Sequence, residues 1–193
     1  MSRAETKQSY ELGTFQFNQA MKKSLALKFG LDGLYSGGHT IRNEKGWRDN
    51  EIEVDYIWIT KISRSFVGFG GLITVKFNES EFRGIKNPEK LIQGIFLYDS
   101  KGKVRELYFE EQINGINDPV WKVNDLELFT ANNGIALDGV SYEYNVIARN
   151  IETQISVNNP NSEQWKNWEN EIRSLGERLA ENSSNEEMKQ LFE

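Results

Sequence analysis

Residues 52–77 read IEVDYIWITKISRSFVGFGGLITVKF. Ile52, Val54, Tyr56, Trp58, Thr60 and Ile62 recur at every second position. Val67, Phe69, Gly71, Ile73, Val75 and Phe77 do the same after Ser63-Arg64-Ser65. A period of two puts alternate side chains on one face of an extended chain, so the stretch predicts two long strands joined as an antiparallel hairpin with one face buried. Gly68-Phe69-Gly70-Gly71 superficially matches a glycine-rich phosphate loop. A phosphate cradle, however, needs a turn that leads into a helix N-terminus. Glycines inside an alternating strand are explained instead by a bulge, a bend or a close approach of a large side chain.

The same alternation recurs downstream. Ile92 to Tyr98 is an apolar strand, Asp99-Ser100-Lys101-Gly102 a turn, and Lys103 to Glu110 its returning partner. Val120 to Thr130 is expected to extend, and Val140 to Ala148 and Ile151 to Val157 alternate across a break at Arg149-Asn150. Beyond Asn159-Pro160-Asn161-Ser162, the residues Trp165, Trp168, Ile172, Leu175 and Leu179 follow a three–four spacing. They make one apolar stripe of a helix running from Ser162 to about Ala180, with Ser162 as its cap.

Upstream the pattern divides. Phe17, Met21 and Leu25 recur every four residues, whereas Leu25, Leu27, Phe29 and Leu31 alternate. The reading is a short helix over 14–23 that passes into a strand near 24–30, with residues 1–13 a flexible N-terminus. Residues 14–182 are then one domain, and 183–193 a short helical or frayed tail. The fold class is mainly β with α elements: an antiparallel meander or barrel-like sheet of about eight strands, a short N-terminal helix, and an amphipathic C-terminal helix on the sheet.

Composition narrows the function classes. The chain has 193 residues, no cysteine, one histidine, and 29 acidic against 23 basic residues for a net charge of −6. Lack of cysteine excludes thiolate catalysis and cysteine-type zinc sites. An acidic chain lacks the electrostatic footprint of a nucleic-acid binder. The opening Met-Ser-Arg-Ala-Glu-Thr-Lys has no apolar signal core, and no apolar run has membrane-spanning length, so a cytoplasmic location is expected. His39 is the lone imidazole, near Ser36, but without a nucleophile elbow it reads as a loop histidine. No catalytic, metal or cofactor residues are assigned, and the reading points away from an enzyme.

Two binding readings remain. Asp49, Glu51, Glu53 and Asp55 alternate, so one continuous strand would carry four carboxylates on one face. That favours an interaction protein of inhibitor, adaptor or immunity type, which meets a basic protein surface through the acidic face or a sheet edge. The alternative is a barrel that holds a small apolar molecule among Tyr56, Trp58, Phe69, Trp165 and Trp168. The order of elements resembles the general plan of lipocalin-type barrels, whose opening strand carries Gly-x-Trp. Gly33-Leu34-Tyr35 stands in the comparable place, with tyrosine for the tryptophan. That resemblance implies a closed barrel around the ligand. The bland readings are a solvated acidic face and a helix stripe that covers the core.

Overall fold

A computed structural model of the chain describes residues 3–31, 33–34, 39–42, 48–52, 54–82, 84–112, 126, 131, 139–148 and 151–193. The expected strand over Val120–Thr130 lies outside them, apart from Leu126. Among the described residues, helix α1 (Arg3–Lys28) is followed by ten strands: β1 (His39–Arg42), β2 (Arg48–Ile52), β3 (Val54–Arg64), β4 (Gly68–Phe77), β5 (Ser80–Phe82), β6 (Ile85–Asn87), β7 (Lys90–Tyr98), β8 (Val104–Gln112), β9 (Val140–Ala148) and β10 (Ile151–Asn158). Helices α2 (Glu163–Ser183) and α3 (Glu186–Phe192) close the order.

Six strands form one antiparallel sheet in the order β10-β9-β3-β4-β7-β8, while β1-β2 and β5-β6 are separate two-stranded ribbons. The sheet is open, which corrects the barrel expectation: β10 and β8 are its two edges and do not pair with each other. The main sheet therefore has six strands rather than about eight.

The hairpin of 52–77 forms as β3 and β4, but both of its faces are buried. Every residue from Tyr56 to Ile62 is inaccessible. Trp58, Ile62 and Leu72 pack with Tyr142, Tyr144 and the helices α2 and α3. Ile57, Ile59, Ile73 and Val75 pack with Met21, Leu25 and Ala26 of α1. The sheet is the middle of three layers, and Ile57 and Ile59 supply the apolar residues for its second face.

Two local features explain where the pattern departed from expectation. Val54 pairs with Phe77 but Tyr56 pairs with Lys76, so Asp55 is an extra residue at a bulge. The bulge reverses the alternation: Val54 packs with the α1 layer, while Trp58 packs with the α2 layer. In α1, the period of four prevails through Lys28, so the helix has 26 residues rather than ten and no strand occupies 24–28. It begins at Arg3, inside the stretch expected to be flexible. Leu27, needed inward for a strand, is 65% exposed. Gly30 adopts φ 71°, and the Leu31 N–H donates to the Ala26 carbonyl at 2.9 Å, a glycine C-terminal stop.

At the other end the expected stripe holds. Trp165, Trp168, Ile172, Leu175 and Leu179 are all buried, together with Gly176 and Ala180 beside them. Ser162 stands at its N-cap in extended backbone, although its hydroxyl makes no capping bond.

Candidate functional site

The four carboxylates of the predicted acidic face do not share one strand. Asp49 and Glu51 belong to β2, which pairs with β1 in its own ribbon. Glu53 lies outside the described residues, and Asp55 sits exposed at the bulge that opens β3. The field of Asp55 reaches Lys76, whose pKa is raised chiefly by its 2.9 Å contact with Glu89.

The predicted ligand residues are divided as well. Trp58, Trp165 and Trp168 pack edge-on among Tyr142 and Tyr144, with ring centroids 5.1 Å (Trp58–Tyr144), 5.3 Å (Tyr142–Trp168) and 5.5 Å (Trp165–Trp168) apart. That is the geometry of a filled aromatic core. Tyr56 is buried in β3. Phe69 lies on the opposite face, 48% exposed, against Tyr98 at 5.8 Å. The in-strand glycines admit neighbours: a Cβ on Gly71 would stand 2.7 Å from Cζ of Phe96. At one end of the α2 layer, a cavity of about 40 Å³ is lined by Arg64, Tyr142, Arg173, Leu191 and others. It has room for a water or so, not for an organic ligand.

The α1 layer carries polar groups that the sequence reading assigned no role. Lys61 interrupts the apolar run of β3 and faces Glu143 across the ladder to β9. Its ammonium pairs with Glu143, donates to Oδ1 of Asn18 at 2.9 Å, and stands 4.9 Å from the centre of the Phe17 ring. Burial, with Lys22 adding like charge, pulls the Lys61 pKa down to about 8. Lys22, one helical turn from Asn18, pairs with Glu152 of β10, and Asn18 donates to Gln154 of β10 at 3.5 Å. The cluster thus runs from beneath α1 to the margin of the sheet.

That margin is β10. Eight consecutive residues pair with β9 in unbroken register, Ile151 with Ala148 through Asn158 with Ser141. The Asn159 N–H donates to the Val140 carbonyl at 2.9 Å, which fixes the parity: odd-numbered residues bond toward β9. The main-chain groups of Glu152, Gln154 and Ser156 therefore point away from the sheet. Among the described residues, none bonds to them. The side chains alternate accordingly. Ile155 and Val157 join the α2 layer, while Glu152 and Gln154 meet the α1 cluster.

The other margin, β8, is bridged by its side chains to the helices. Arg105 is an extra residue at a bulge, since Leu97 pairs with Glu106 but Tyr98 with Val104. Arg105 bridges to Glu187 of α3. Glu110 meets Arg178 of α2 at 2.5 Å, accepts from Tyr108 at 3.1 Å, and is also bonded by Asn182. Burial pushes the Glu110 carboxyl up, but these donors outweigh it and hold its pKa below the usual value. Arg178 also donates to buried Gln93 at 2.7 Å, and Gln112 donates to the same oxygen at 3.0 Å.

Among the described residues, fold and margin together define three layers around a six-stranded open antiparallel sheet, with one edge bridged by side chains to the helices and the other unbridged. Comparison of the chain with protein families, with curated proteins and with solved structures finds no match. Among the described residues, no helix is long and apolar enough to cross a membrane. Two signals for the β10 margin stand in the sequence: a lysine inside an apolar strand, and a final strand with one charge in eight residues.

Proposed function

We propose that this chain is a non-enzymatic interaction protein, of inhibitor, adaptor or immunity type, that takes an extended segment of a basic protein partner onto β10. The observation that carries the reading is the outward main chain of Glu152, Gln154 and Ser156, in a regular strand without bulge or proline. Such an edge is a template for strand addition, in which main-chain hydrogen bonds supply affinity and alternate side chains supply specificity. Net charge of −6 favours a basic partner and disfavours a second copy of the same chain. Asp55 and the carboxylates of β2 belong to the same acidic balance. A cytoplasmic setting belongs to this reading.

Amide hydrogen exchange on the purified chain tests the edge. The amides of Glu152, Gln154 and Ser156 should exchange orders of magnitude faster than those of Thr153, Ile155 and Val157. Protection of all six in the isolated chain would mean that the edge is already covered, and the reading fails. Ser156→Pro removes an outward N–H and leaves the ladder to β9 intact, a position where an edge strand tolerates proline. It should abolish binding of a partner cross-linked through β10 with little change in Tm.

A further inference from the structure

The tip of the β3–β4 hairpin joins two observations that a merely structural turn does not need. Phe66 is 102% exposed, and its backbone stands at φ 66°. Left-handed backbone is sparsely populated by bulky residues and is the province of glycine and asparagine. A turn selected only to join two strands would place one of those here. The ring gains no burial within the chain to offset the strain. Val67 and Phe69 beside it are 38% and 48% exposed, so the tip is an apolar projection.

The projection is braced. The Ser65 N–H and hydroxyl both reach the Gly139 carbonyl, at 3.3 and 3.4 Å, and Arg64 donates to the Gln190 carbonyl at 3.2 Å. The Val67 N–H closes the turn on the Arg64 carbonyl at 3.2 Å. A fixed aromatic knob enters a pocket at low entropic cost. Its place in the fold names the occupant. Arg64 pairs with Val140, whose carbonyl accepts from Asn159 just beyond β10. The tip is therefore two strand spacings, about 10 Å, from the end of the open edge. A bilayer is disfavoured by the net charge of −6 and by the engagement of Arg64 within the chain.

We infer that Phe66 is the anchor by which the basic partner protein seats an apolar pocket on this chain while its strand lies along β10. The inference rests on the strand-addition reading for the partner, and on the exposure and backbone of Phe66 for the anchor.

The test places a photo-reactive benzoylphenylalanine at position 66 in one full-length chain and at position 156 in another, irradiates each in the producing cells, and compares the captured proteins. Both positions should capture the same basic protein. Against that purified protein, Phe66→Asn should weaken binding at least tenfold, while Phe66→Tyr keeps it near the parent value. Phe66→Asn should also leave the Tm of the free chain unchanged or raised, because asparagine tolerates the left-handed backbone. Unchanged affinity in Phe66→Asn, with Ser156→Pro still defective, overturns the anchor and spares the edge. A lowered Tm shows that the ring serves the fold, and it overturns the anchor too. Sedimentation with phosphatidylcholine vesicles, with and without phosphatidylserine, should show no binding. Vesicle binding that Phe66→Asn removes would assign the tip to a membrane instead.

Discussion

The two edges of one sheet are built on opposite plans. β8 carries four charged residues in nine, has a bulge, and is bridged by Arg105–Glu187 and Arg178–Glu110 to the helices. β10 carries one charged residue in eight, has no bulge, and turns that residue, Glu152, inward to Lys22. Proteins blunt exposed edges with charge, bulges or cover, because an unpaired ladder recruits other strands. The bulge, the run of charges and the bridges to the helices are all on β8, while β10 has only the single inward Glu152. An edge left regular in a chain that defends its other edge is the contrast on which the proposed strand addition rests.

If β8 is held by its bridges, cutting one should cost stability far more than a change at the outward, exposed Ser156 of β10. Arg178→Ala leaves the Glu110 carboxylate and buried Gln93 without their shared donor. Loss of hydrogen bonds to a charged group sets the expected cost at about 2 kcal/mol, read from urea denaturation. A cost close to zero would show that β8 is not clasped, and the contrast between the edges would dissolve.

Acid sharpens the same contrast. The folded pKa of Glu110 is depressed, so its clasp contributes fully above the unfolded carboxyl value and is lost as pH falls through the folded value. The stability gap between the parent and Glu110→Gln should therefore be widest near pH 6 and close toward pH 3. Ser156→Pro, which removes no titrating group, should keep a nearly constant gap from the parent over that range.

How much of this could be read beforehand depends on what sets each feature. The β3–β4 and β9–β10 hairpins, the Asp99–Gly102 turn and α2 were legible because period and turn chemistry are local. Asp99 shows it: its carboxylate accepts from the Lys101 and Lys103 N–H groups, both at 2.9 Å, within five residues of chain. The bulge at Asp55 left no mark in composition, yet it reversed which residues share a face, and the alignment of carboxylates was lost because Asp49 and Glu51 belong to a separate ribbon. In 14–31 two periods fit equally well, and only the sheet face provided by Ile57 and Ile59 selects the helix. The pattern allowed a sheet edge for the proposed interaction, but did not say which strand would be an edge. β10 becomes an edge because β9 pairs with β3 across a long sequence separation, and local pattern does not encode that pairing.

The smallest expected effect on stability is the most telling about function. Ser156→Lys gives β10 the kind of side chain that β8 already uses to refuse other strands. The Ser156 side chain is exposed and sits opposite Glu143 in the register with β9, so a lysine there meets a carboxylate rather than a like charge. The fold should register the change by no more than about 0.5 kcal/mol. A basic strand approaching the edge, by contrast, meets both a new positive charge and a long side chain over the Gln154–Ser156 main chain. Partner binding should fall at least tenfold and recover little with added salt, since the steric part of the obstacle is not screened. Binding that survives Ser156→Lys would move the interface off β10, and the openness of that edge would then need another explanation.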